Sequence, residues 1–242
     1  MKLTLNLIGV AAIGTALSTT VVFAANSSVD VTVLQPLRAY TPTPADLAYT
    51  GVTPGDTAAA DVFSVGTNLQ YVGLALDGDG VNANSAFPFV KVQQQDGSGN
   101  FGTAACYLGN NGSAGSFGLG FFSLSQPFKK ARMFAVRQGS TVTVLFTRVN
   151  GGALPDQSFT CDGAPAPVGS SVGIASYAKA TAQLDNFASC KNLLDDFSYT
   201  GPLSASGNWN DVAPGMHANG SRALGGPSAL SFWTPQVACS AR

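Results

Sequence analysis

Residues 132–149 read RMFAVRQGSTVTVLFTRV, two strand-like runs on either side of a Gly-Ser pair. In the second run Val142, Val144 and Phe146 fall on one face and Thr141, Thr143 and Thr147 on the other, the two-residue period of a half-buried strand. β-Branched and aromatic side chains suit a pleated surface, and Gln138-Gly139 at the junction reads as part of a hairpin turn. The pattern continues outward through 69–76 (LQYVGLAL), 87–93 (FPFVKVQ) and 118–124 (GLGFFSL) on one side. On the other it runs through 172–177, 182–187 (AQLDNF), 193–199 (LLDDFSY) and 230–233, each bounded by Gly, Asn, Asp or Pro. Roughly a dozen short strands without helical periodicity between them predict an all-β, antiparallel β-sandwich in a single domain.

Composition points the same way. The 242 residues include 12 Lys and Arg and 13 acids, every one of them Asp, so few of the straight-chain residues that favour helices are present. The 28 Gly and 13 Pro suit tight turns, and 15 Phe in a chain that is 45% hydrophobic can bury a core. A formal charge of −1 excludes the basic footprint of a nucleic-acid binder.

Residues 1–24 read as a secretory signal peptide: Lys2 near the start, a small and apolar run, and Val22-Phe23-Ala24 before the expected cut. Residues 25–57 follow as an N-terminal strand and a Pro-rich extension, in which Val29, Val31 and Val33 alternate with Asp30 and Thr32, and Pro36, Pro42, Pro44 and Pro54 punctuate the rest. No later apolar run reaches membrane-spanning length, so the expected product lies outside the cytoplasm, secreted or on the cell surface. Four cysteines in an exported chain argue for two disulfides. They allow three pairings; the one expected here is Cys106 with Cys161 and Cys190 with Cys239, because each would tie segments that are neighbours in the arrangement below.

Two segments carry a family likeness. Gly173-Ile174-Ala175-Ser176-Tyr177 through Gln183-Leu184-Asp185-Asn186-Phe187 resembles the closing strands of concanavalin A-like (laminin-G-like) jelly rolls of bacterial secreted proteins. Asp195-Asp196-Phe197, followed by Gly201-Pro202-Leu203 and Asn208-Trp209, resembles the opening strand and loop of the same modules. Here the closing strand comes first. A second module starting at Leu193 would have too few residues to build a sandwich, so the order implies a circular permutation within one domain spanning 58–242. The permutation predicts that 182–187 pairs antiparallel with 193–199, and that 232–237 lies near 62–71.

Catalytic chemistry is poorly represented. Sandwich glucanases of the resembled fold carry paired Glu, and this chain has none. Asp195 and Asp196 are adjacent and would point to opposite faces of a strand. His217, the single histidine, sits in a loop with no Gly-x-Ser-x-Gly elbow. Lys129-Lys130-Ala131-Arg132, the one basic cluster, reads as a solvated turn beside a strand. No enzyme activity and no cofactor are therefore expected. The 77–84 loop (DGDGVNAN) reads as a polar turn, with Asp77, Asp79, Asn82 and Asn84 as the ligands a Ca²⁺ ion would take. Tyr107, Tyr199 and Trp209 are the candidate platforms for a glycan, although in the resembled modules this Trp packs inward. Asn26, Asn111 and Asn219 begin N-glycosylation acceptor patterns.

The expected function is a non-catalytic structural protein of the cell surface or extracellular matrix, a filament subunit that self-associates through its N-terminal strand or binds other surface proteins. The alternative is a secreted, lectin-like glycan-binding module.

Overall fold

A computed structural model describes residues 54–237 and 239, apart from 68, 95, 110–115, 148–156, 179–181, 191, 214 and 226–227. Ahead of Pro54 it describes three short backbone stretches, the strands β1 (Thr20–Val22), β2 (Asp30–Val33) and β3 (Leu47–Ala48). Then follow β4 (Thr57–Phe63), β5 (Gln70–Gly78), β6 (Pro88–Gln94), β7 (Phe101–Leu108) and β8 (Ser116–Phe128). The opening hairpin of the sequence reading is β9 (Lys130–Gln138) and β10 (Thr141–Thr147), followed by β11 (Gln157–Asp162), β12 (Ser171–Ala178), β13 (Ala182–Ser189) and β14 (Asn192–Asp195). The chain closes with β15 (Thr200–Pro202), β16 (Trp209–Asp211), β17 (His217–Asn219), β18 (Ala223–Gly225) and β19 (Ala229–Trp233).

Strands β4–β19 form an antiparallel sandwich, and β1–β3 pair among themselves. One sheet runs β11-β10-β9-β4-β13-β18-β17-β15, with β14 also paired to β13; the other runs β16-β19-β12-β5-β6-β7-β8. The alternation read from the sequence sorts the side chains. Val142, Val144 and Phe146 of β10 and Ala58, Ala60 and Val62 of β4 share one core with Val72, Leu74 and Leu76 of β5. A second apolar cluster covers the far face of the other sheet, where Phe87, Phe89, Leu230 and Phe232 are fully buried. Phe232 can lie flat there because Gly78 and Gly173 stand beneath it; a Cβ at either would collide with its ring.

Both disulfides take the expected pairing. Cys106 of β7 joins Cys161 of β11, with Cα atoms 6.4 Å apart, and so crosses from one sheet to the other. Cys190, at the tip of the β13–β14 hairpin, holds Cys239 of the C-terminal tail.

The hairpin β13–β14 is antiparallel, with Phe187 opposite Asp195 and Ala188 opposite Leu193. It is shorter than the sequence suggested. The carboxylate of Asp195 accepts the Phe197 N–H at 2.7 Å and Phe197 takes φ 52°, which ends the strand before Tyr199. The placement of 232–237 beside 62–71 is corrected: β12 lies between β19 and β5, and the tail after Trp233 runs instead against Pro54 and Ser170–Val172. The basic cluster is also reassigned, since Arg132 is 1% exposed within β9 and pairs with Asp61. The strand expected over 118–124 is longer, since β8 runs from Ser116 to Phe128.

The sandwich starts at Thr57, one residue before the expected boundary. Asp30–Val33 pairs antiparallel with Thr20–Val22 and, over two residues, with Leu47–Ala48. Val29 and most of residues 1–24 lie outside the described residues.

Loop-closure entropy favours the oxidised protein by about 2–4 kcal/mol for each bridge. The Cys106→Ala/Cys161→Ala double variant is expected to lose that amount in equilibrium urea unfolding, with the Cys190–Cys239 bridge retained by mass spectrometry.

Candidate functional site

Trp209 lies inside the sandwich, so it is not the sugar platform considered above. It is 4% exposed, and its ring packs against Phe187, Phe197 and Trp233 at centroid distances of 5.0, 6.0 and 5.3 Å. Its Nε1–H donates to Asp195 Oδ2 at 2.6 Å, and the Tyr199 hydroxyl donates to the same oxygen at 2.9 Å. One carboxylate thus satisfies an indole, a phenol and a backbone N–H at a single buried point. Asp196, its neighbour, points outward and accepts the Ser198 N–H. Tyr107 lies far from this group, on the outer face of the other sheet, where it joins the Phe89–Phe232 cluster. The three aromatic residues therefore make no common surface.

The four oxygen ligands of the 77–84 loop also diverge. Asp77 is 1% exposed and forms a 2.9 Å ion pair with Arg137 of β9, whose guanidinium also donates to the carbonyls of Gly139 and Pro165. Burial pushes the Asp77 carboxyl up to about 6, Asp56 adds to this, and Arg137 opposes it. Asp79 accepts the N–H groups of Val81 and Asn82, and Asn82 Oδ1 accepts that of Asn84. These are turn-forming bonds, and among the described residues no group of three or more His, Cys, Asp or Glu is placed to hold a metal.

Two polar centres went unnoticed in the sequence. On the outer face of the first sheet, Asp61 of β4 stands directly opposite Asp185 of β13. Arg132 pairs with Asp61 at 3.3 Å and donates to the Asn186 carbonyl, while the Asn186 amide donates to Asp61 at 2.9 Å. Burial pushes the Asp185 carboxyl up to about 6, helped by the charge of Asp61 and opposed by the Asn186 N–H and by Arg222. On the outer face of the second sheet the Lys91 ammonium sits 4.2 Å from the ring centroids of both Tyr71 and Tyr107, and burial lowers its pKa to about 8. His217 is exposed at the start of β17 and faces Pro202 and Leu224 across the sheet.

The sheet edges differ sharply between the two sides of the sandwich. On one side they are β15 and β16, three residues each, and β15 ends in Pro202. Short strands and proline are the usual protections against edge-to-edge pairing. On the other side they are β11, six residues ending in Asp162, and β8, thirteen residues without a charged side chain and with Pro127 next to its end. Among the described residues no strand pairs with β8 beyond β7, or with β11 beyond β10. The two edges face each other across a cleft of about 120 Å³ floored by Phe122, Leu124, Phe146 and Phe159. Phe122 and Phe159 stack across it at 4.6 Å. At one end the Gln157 side-chain amide takes both backbone groups of Gln126, donating to its carbonyl at 2.9 Å and accepting its N–H at 3.4 Å. An amide side chain there does what the peptide of an added strand would do.

Removing the acceptor of a buried, charge-assisted network leaves donors unmatched. Asp195→Asn is expected to lower stability by about 2–3 kcal/mol, and Asp196→Asn by less than about 0.5 kcal/mol, in parallel denaturant titrations. The raised pKa of Asp185 means that the folded protein holds this proton more tightly than the unfolded chain does. Folding then takes up a proton between about pH 4 and 6, so this group's contribution to stability falls as pH rises through that window and is flat above it. With its partial exposure discounted, the loss is on the order of 1 kcal/mol, and Asp185→Asn is expected to flatten the pH–stability curve by that amount.

No protein-family model matches this chain, and neither a curated protein nor a solved structure matches it.

Proposed function

We propose that this chain is an exported, non-catalytic structural subunit of the cell surface or extracellular matrix, and that it assembles by strand addition through its N-terminal strand. The observation that carries this reading is the asymmetry of the sheet edges: on one side they are three residues each, on the other six and thirteen, with no outer strand paired to them among the described residues. A monomer under selection to stay monomeric protects such an edge. Two disulfides suit an oxidising compartment, as the signal-like leader does. No described helix is long and apolar enough to cross a membrane.

Export also changes the partners of β2. Cleavage after Ala24 takes Thr20–Val22 away, and β2 keeps only its two-residue pairing with β3, too little to hold a strand on its own. In this reading the sandwich is a jelly roll of the concanavalin A-like kind with permuted ends. The β13–β14 hairpin and the tail lying against Pro54 both suit it. The glycan-binding alternative draws on that likeness of fold, which does not by itself determine function.

Proline at position 31 removes a ladder N–H while leaving the sandwich core untouched. The exported wild-type protein is expected to form filaments or large oligomers in electron microscopy and light scattering, and Val31→Pro to remain monomeric with an unchanged thermal midpoint. Equal assembly of the two would exclude a tethered-strand mechanism.

A further inference from the structure

We infer that Asn219 is a glycosylation site, whose side-chain amide takes a saccharide from an activated donor when the chain is exported; the inference rests on the export proposed above and not on assembly. Asn219-Gly220-Ser221 is one of three N-glycosylation acceptor patterns, of which those at Asn26 and Asn111 lie outside the described residues. Asn219 ends β17 and opens the two-residue loop to β18, which it closes by donating its backbone N–H to the Arg222 carbonyl at 3.0 Å. Gly220 takes φ 91° at the first loop position, where any other residue would be strained. Asn219, Gly220 and Ser221 are all exposed.

The turn fixes how the amide is presented. Asn219 Oδ1 accepts the Ser221 N–H at 3.1 Å, the Arg222 N–H at 3.0 Å and the Ser221 hydroxyl at 3.2 Å. Backbone N–H groups can only donate, so the atom facing them is the oxygen and Nδ2 is turned away from the loop. Among the described residues Nδ2 has no acceptor. An Asn-Gly pair has a competing reaction, attack of the Gly nitrogen on the side-chain carbonyl carbon with loss of ammonia. Here the Gly220 N–H donates to the Tyr199 carbonyl at 2.6 Å, which holds that nitrogen in place and keeps the amide intact.

The donor is a saccharide whose anomeric carbon carries a diphosphate leaving group, supplied with its transferase at the exporting membrane. The bond from the anomeric carbon to the diphosphate oxygen breaks, its electron pair leaving on oxygen, while a bond from that carbon to Nδ2 forms. One Nδ2 proton passes to a base of the transferase, and nothing is oxidised or reduced. The three bonds to Oδ1 lie within four consecutive residues, so the turn can form before the sandwich has closed. In the folded protein Asn219 stands opposite Thr200 of the edge strand β15. A saccharide there adds its bulk to Pro202 in shielding that edge.

Peptide mapping of the exported protein, purified from the cells that make it, tests the assignment. N-terminal sequencing of the same sample reports export, and electron-transfer fragmentation locates any added mass on the tryptic peptide between Lys191 and Arg222. That peptide is expected to carry a saccharide on Asn219 in the wild type and in Ser221→Thr, which keeps the acceptor pattern. The added mass is expected to be lost in Asn219→Gln and in Ser221→Ala, with circular dichroism checking that each variant is folded. An exported wild type whose peptide carries no added mass, or has aspartate at position 219, overturns the assignment by itself and leaves the assembly reading standing. A saccharide that survives Asn219→Gln sits on another residue, the Ser221 hydroxyl being the nearest, and overturns it equally. A chain that keeps its leader and stays inside the cell overturns both. Should either loss variant prove unfolded, the wild-type and Ser221→Thr peptides decide the matter without it.

Discussion

An open β-sheet must end somewhere, and at each end a row of backbone N–H and C=O groups has no strand beside it. That constraint governs this molecule more than most. With no Glu and few long side chains, the chain has little helical propensity to fall back on, and its order comes from antiparallel ladders. A closed barrel would abolish the edges; a two-sheet sandwich has four. Two of them are three-residue strands, one ending in Pro202 and the other tied by Asp211 to Ser204 and Ser231. The remaining two, β11 and β8, are six and thirteen residues long and lean on each other through Phe122, Phe159 and Gln157; the functional reading follows from that contrast in length.

Within the sheets, charge is used for position rather than for solubility. Arg132–Asp61 and Arg137–Asp77 are both buried, and each joins segments at least sixty residues apart in sequence. Desolvation offsets most of the Coulomb attraction of such pairs, so their contribution lies less in net stability than in the cost of any register that would separate them. A shift of β9 by one residue would send Arg132 into the apolar core and Ala131 outward. The Asp195 carboxylate does similar work opposite Phe187, where it ends β14, orients Trp209 and ties in Tyr199.

The sandwich was largely legible because alternation survives in nearly every strand, as in 141–147, and because Gly, Asn and Asp mark the turns. The cysteine pairing was legible once the hairpin 182–195 was recognised, since that hairpin brings the chain's late segments together. Other features carried no local signal. Asp61, Arg132, Asp77 and Arg137 look like surface charges one at a time, and only register reveals them as pairs. The Asp77–Asn84 oxygens suggested a cation by spacing, but the left-handed backbone at Asp77 turns that carboxylate away from the loop. The ends of β8 were not marked, because Ser116, Ser125 and Pro127 are residues that ordinarily bound a strand.

The placement of the inter-sheet disulfide bears on the same edges. A bridge at the centre of the sandwich would stabilise the fold without touching its edges. This one joins an edge strand, β11, to β7, the strand beside the edge strand of the opposite sheet. Next to it β8 and β11 meet through the Phe122–Phe159 stack and the bonds of Gln157 to Gln126. The covalent bond restricts the unfolded chain and also brings together the two strands on which those contacts depend. On this side, therefore, the sandwich is closed by side chains and a disulfide where no ladder joins its two sheets.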